Sequence, residues 1–130
     1  MLIDKEYNWQ GKIVLIAEDE EINYMFVERV LKPTGATIIR ALDGKEAVDI
    51  VASRSDIDLI LMDIRMPNLN GIEAAEAIRK TRPNILIIAQ TCYETDIDLS
   101  SITTVKFDGF ISKPVNVNTM LTMIDRLLNK

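Results

Sequence analysis

A chain of 130 residues, 48% apolar and 27% charged, has the size and composition of one soluble globular domain. Its formal charge of −5 disfavours broad attraction to nucleic acid or to an anionic membrane. The absence of histidine excludes a histidine general base, the common histidine-containing zinc sites and any phosphohistidine carried by this segment. What remains is the chemistry of carboxylates, hydroxyls, lysine and metal ions bound through oxygen.

No apolar run approaches the roughly 20 residues of a membrane helix, and the start does not resemble a signal peptide. The lone Cys92 cannot form an internal disulfide, which suits a reducing compartment and points to the cytoplasm. Residues 1–10 mix Asp4, Lys5 and Glu6 with Tyr7 and Trp9 and read as a lead-in or linker remnant, which leaves 11–130 as one domain. There is no internal repeat.

The first apolar run, Ile13 to Ala17, predicts a buried strand. A helix follows, with Ile22, Met25, Phe26 and Val30 on one face, and Lys32-Pro33-Thr34-Gly35 ends it. Thr37 to Ala41 is a second strand, and Asp43 can cap the next helix, whose inner face is Ala47, Ile50 and Val51. The third run, Leu59 to Met62, precedes a helix after Gly71 striped by Ile72, Ala75 and Ile78 and stopped before Pro83. Ile85 to Ala89 is the fourth run and Gly109 to Ser112 the fifth. A last helix carries Val117, Met120, Leu121, Ile124, Leu127 and Leu128. Between runs four and five, topology demands a helix over 96–107, but its β-branched and hydroxyl residues predict a short or loosely held one.

Strands alternating with helices imply crossover connections and a parallel sheet covered on both faces. Runs one, three and four are almost wholly apolar and belong inside; runs two and five carry Thr37, Arg40 and Ser112 and belong at the edges. The expected fold is therefore α/β, a flavodoxin-like doubly wound (βα)5 three-layer sandwich with sheet order 2-1-3-4-5.

In such sheets ligands bind beyond the carboxyl ends of the strands, where the order reverses. Glu18 and Asp19 follow strand one, Asp63 ends strand three, Thr91 ends strand four, and Lys113-Pro114 follows strand five. Three crowded carboxylates repel unless a cation sits among them, and oxygen ligands alone suit a hard divalent ion such as Mg²⁺. A carboxylate beside that ion can attack phosphorus and become an acyl phosphate, with Thr91 and Lys113 meeting the phosphoryl oxygens. Singly, each residue has a plainer role: the acidic run can favour a helix N-terminus, Asp63 can cap a loop, Thr91 can be a satisfied hydroxyl, Lys113 a solvated lysine and Phe110 core. Together they supply the residue types that one mechanism needs.

The chain resembles the receiver domains of response regulators in two-component signalling, from about Lys12 to Leu128. The resemblance is carried by Ala17-Glu18-Asp19-Glu20, by Leu61-Met62-Asp63-Ile64-Arg65-Met66-Pro67 with Asn70-Gly71, by Thr91, and by Gly109-Phe110-Ile111-Ser112-Lys113-Pro114. It implies that Asp63 accepts a phosphoryl group from a phosphohistidine, and that Glu18, Asp19, Asp63 and the Arg65 backbone carbonyl hold Mg²⁺. Thr91 and Phe110 would be the switch pair, Lys113 the phosphate-binding lysine, and Arg65 and Tyr93 the residues that tune phosphoryl lifetime. It implies too that the bond before Pro114 is cis. The implied phosphodonor is a histidine kinase or histidine phosphotransfer domain. The face formed by the fourth helix, fifth strand and fifth helix would be read by a partner or a second receiver, without nucleic acid or membrane. Cys92 departs from the small alanine common after the switch hydroxyl.

Two rival readings differ in class. An aspartyl-nucleophile phosphatase would want a second Asp two residues after the nucleophile, where this chain has Arg65. A degenerate receiver acting only as an interaction module would have lost the acidic pair, the nucleophile or the lysine, and all are present. The expected protein is thus a phosphoacceptor domain rather than an enzyme. It is either free-standing or part of a hybrid histidine kinase, and the Gly-Phe-Ile-Ser-Lys-Pro pattern and Trp9 favour the latter.

Overall fold

Side chains on a strand alternate between two faces, so a strand apolar throughout must be covered on both. The computed structural model, which describes residues 6–91 and 105–129, realises this with strands β1 (Ile13–Ala17), β2 (Thr37–Ala41), β3 (Leu59–Asp63), β4 (Leu86–Thr91) and β5 (Gly109–Ser112). All pair in parallel, in the order β2-β1-β3-β4-β5. On one face Leu15, Ile60, Met62 and Ile87 pack with Ala47 and Val51 of helix α2 (Gly44–Ser53) and Ala74, Ala75 and Ile78 of α3 (Gly71–Thr81). On the other, Ile16, Leu59, Leu61 and Ile88 pack with Val27, Val30 and Leu31 of α1 (Glu21–Leu31) and Met120, Leu121 and Ile124 of the C-terminal helix (Val117–Leu128). The flavodoxin-like three-layer arrangement is the one expected.

Local chemistry sets the boundaries. The Asp43 side chain accepts from the Glu46 amide at 2.7 Å and starts α2. Asn70 and Glu73 close a reciprocal capping box at the start of α3, and Asn116 caps the C-terminal helix. After α1 the chain tightens into a 3₁₀ turn at Lys32–Thr34 and leaves through Gly35 at φ 85°, a left-handed conformation that favours glycine. Strand β4 starts one residue after the fourth apolar run and continues two beyond it, because Gln90 and Thr91 pair with Ile111 and Ser112 of β5.

Two parts of the chain pack otherwise than the apolar pattern suggests. In α1 the buried stripe is Val27, Val30 and Leu31, whereas Ile22 is 82% exposed and Met25 and Phe26 also face solvent. Trp9, in the stretch expected as a lead-in, is buried and donates its indole N–H to Asp125 at 2.9 Å, and its backbone N–H bonds the Thr34 carbonyl. The chain is thus part of the core already at Trp9. The helix expected over 96–107 falls largely outside the described residues. Among those described, no helix is long and apolar enough to cross a membrane.

Candidate functional site

The rim at the carboxyl ends of β1 and β3 gathers the acidic residues. Oxygens of Glu18, Asp19 and Asp63 lie within 4.8 Å of one another, with Glu18 and Asp63 buried and Asp19 exposed. Lys113 reaches in from the turn after β5, its Nζ donating to Asp63 Oδ2 at 2.9 Å and to Glu18 Oε1 at 3.3 Å. The backbone N–H of Arg65 donates to Asp63 Oδ1 at 3.2 Å, and that of Glu20 to Glu18 Oε2 at 3.2 Å. A cleft of about 600 Å³ opens over this group, lined by Asp19, Glu20, Asn23, Asp63, Arg65, Met66, Pro67, Lys113 and Pro114.

The β3–α3 loop and the Lys113–Pro114 turn are held by specific contacts. Gly71 donates its N–H to the Ile64 carbonyl at 2.8 Å, and a Cβ at Gly71 would lie 2.1 Å from the Asp63 carbonyl oxygen, so only glycine fits beneath the aspartate. Asn68, itself left-handed at φ 68°, donates its side-chain amide to Asp43 at 2.7 Å and ties the β3–α3 loop to the start of α2. On the opposite side the Lys113 N–H bonds the Thr91 carbonyl at 2.7 Å, and the Lys113–Pro114 bond is cis.

Buried carboxylates this close oppose each other's ionisation. Burial, then the hydrogen bond and charge of Asp63, pushes the Glu18 carboxyl up to about 7, against the pull of Lys113. Burial alone would lower the Lys113 ammonium, but its hydrogen bond to Asp63 and the two carboxylate charges outweigh that and hold it above the ordinary lysine value. The site thus carries more negative charge than one lysine balances. Its all-oxygen donor set is that of a hard divalent cation.

Of the residues singled out by sequence, Glu18, Asp19, Asp63 and Lys113 come together here, and Arg65 stands exposed at the cleft wall. Thr91 is buried at the end of β4. Phe110 does not line the cleft; it is 48% exposed on β5 and packs edge-on against Phe107, ring centroids 5.6 Å apart. Tyr93 and Cys92 lie outside the described residues. Sequence reasoning missed Arg40, whose guanidinium bonds the Glu18 carbonyl, because a strand arginine signals only an edge.

Residues 14–125 match the family described as response regulator receiver domain. Among curated proteins, the autoinducer 1 sensor kinase/phosphatase LuxN of Vibrio campbellii is 31% identical over 125 residues, covering 96% of this chain but 14% of LuxN. Hybrid signal transduction histidine kinase I of Dictyostelium discoideum is 34% identical over 125 residues, covering 90% of this chain and 7% of that protein. The chain therefore spans a small part of these relatives. A solved receiver domain of a Pseudomonas aeruginosa sensor histidine kinase, described with a magnesium ion coordinated in its active-site cleft, superposes with a TM-score of 0.83 at 28% identity, covering 92% of this chain and 99% of that one. The chain belongs to the response regulator receiver domain family of two-component signalling systems.

Proposed function

We infer that Asp63 is the phosphoacceptor of this receiver domain. The observation that carries the reading is the convergence at one strand-end rim of a buried aspartate, two further carboxylates and a lysine 2.9 Å from the aspartate. In the proposed step an Asp63 carboxylate oxygen bonds to the phosphorus of a phosphohistidine, the P–N bond breaks, and the imidazole leaves with the electron pair and takes up a proton. Lys113 stays paired with the departing charge of Asp63 and then meets the phosphoryl oxygens; the Thr91 hydroxyl supplies a further hydrogen bond. Glu18, Asp19, Asp63 and the Arg65 carbonyl are the groups that would hold Mg²⁺, which when bound neutralises and orients phosphoryl oxygens. Arg65 and Tyr93, the latter outside the described residues, are the positions that tune phosphoryl lifetime, and Thr91 with Phe110 forms the switch toward the face that includes β5 and the C-terminal helix, where a partner or second receiver docks.

The phosphodonor is a histidine kinase or phosphotransfer domain in the cytoplasm, and the likeness to sensor kinases favours a hybrid kinase as the parent chain. A seat for the donor is supported by the exposed apolar face of α1: Ile22 and Phe26 line a groove of about 290 Å³ that shares Asn23, Lys113 and Pro114 with the acidic cleft. The domain turns over no substrate of its own beyond gaining and losing one phosphoryl group. Incubation with Mg²⁺ and acetyl phosphate tests this. A receiver takes up one phosphoryl group per chain and loses it slowly, whereas sustained donor consumption at many equivalents per minute would favour the phosphatase reading.

A further inference from the structure

We propose that Arg40 is a positioning residue for the acidic pair, pinning the β1–α1 turn so that Glu18 and Asp19 are preset toward a cation. The inference rests on the metal reading of the site given above. Arg40 sits on β2, in register with Ile16, and its side chain is only 17% exposed. Its Nε and a terminal nitrogen donate to the Glu18 carbonyl at 3.2 and 3.1 Å, and that same nitrogen lies 3.5 Å from the Asp19 carbonyl. The other terminal nitrogen pairs with the Glu21 carboxylate in the first turn of α1. The guanidinium carbon lies 4.4 Å above the centre of the Tyr24 ring, and Tyr24 is held by its hydroxyl donating to Glu28 at 3.1 Å and its amide to the Glu20 carbonyl.

One planar fork thus ties three consecutive features of the chain: the end of β1, the turn bearing Asp19, and the start of α1. A guanidinium serves several acceptors at fixed angles and stacks on a ring, which an ammonium cannot reproduce. Carbonyls drawn outward toward Arg40 leave the side chains of the same turn free to converge on Asp63. The sign of the effect separates this role from simple charge. Removing a cation beside an acidic site should tighten Mg²⁺ binding if only field matters. If Arg40 positions the ligands, its loss should weaken binding, as loss of partners that orient metal ligands does.

The test is Mg²⁺ titration calorimetry on wild type, Arg40→Ala and Arg40→Lys, with amide order parameters of Glu18–Glu20 measured in the metal-free proteins. The expected result is an affinity loss of about tenfold for Arg40→Ala, no recovery in Arg40→Lys, and lowered order confined to Glu18–Glu20. Binding equal to or tighter than wild type in Arg40→Ala, or full recovery in Arg40→Lys, would overturn the proposal. If Arg40→Ala does not fold, Arg40→Lys decides alone by the same criteria. A wild type that does not bind Mg²⁺ counts against the metal reading only, since the order parameters test the Arg40 contacts without an ion.

Discussion

Glu18 carries a charge that its burial opposes. Its carboxyl is pushed up to about 7 from an ordinary value of 4.5, so ionising it in the fold is unfavourable relative to the unfolded chain. Its contribution to stability is full below pH 4.5 and is lost as pH rises toward about 7. The metal-free protein should therefore lose melting temperature across that window, and Glu18→Gln should flatten the loss; thermal melts between pH 5 and 8 check it. Asp19→Asn should weaken Mg²⁺ binding by more than about tenfold, since a direct ligand costs at least as much as an orienting one, yet melt no lower than wild type without metal because one repulsion is removed. A lower melting temperature for Asp19→Asn would show the crowding to be harmless. That Asp63, Glu18, Asp19 and Lys113 would meet at one rim was legible in the sequence, because they stand at or just after the ends of strands that share a sheet. The Arg40 fork was not, because nothing in sequence says which backbone carbonyls a strand arginine will meet.

At the scale of elements, the strands and their order were legible because a strand buried on both faces must be apolar, and β1 is apolar throughout, β3 as far as Asp63 and β4 as far as Gln90. Helix α1 shows where that logic fails. Ile22, Met25 and Phe26 fit an apolar face but point to solvent, while Val27, Val30 and Leu31 take the core. Hydrophobicity does not say which apolar residues of a helix this chain's own sheet will cover. The β3–α3 loop makes a stricter demand. Gly71→Ala would set a Cβ 2.1 Å from the Asp63 carbonyl, so strand end or helix start must shift. We expect a cost of about 1–3 kcal/mol in denaturant unfolding, together with slowed phosphorylation because Asp63 moves. Asn70→Ala removes only the cap and should cost about 1 kcal/mol with phosphorylation little changed. Equal effects of the two on labelling would mean that Gly71 serves the helix and not the aspartate.

For the molecule as a whole, the doubly wound sheet follows from order and burial of the strands, and the site follows from the sheet, since all its carboxylates stand where β1 and β3 end. What escaped the sequence reading at this scale was Trp9. A tryptophan among charged residues near the start reads as a tether, but its neighbours in space are Thr34 and Asp125, far away in the chain. Trp9→Ala should cost about 3–5 kcal/mol, the range for truncating a buried aromatic, and chemical denaturation of the two proteins measures it. The account as a whole stands on Asp63 as the single acceptor. Its most direct test is intact-protein mass after incubation with Mg²⁺ and acetyl phosphate, comparing wild type with Asp63→Asn. We predict one added phosphoryl group on wild type and none on the variant; labelling of Asp63→Asn to the wild-type extent would contradict the assignment.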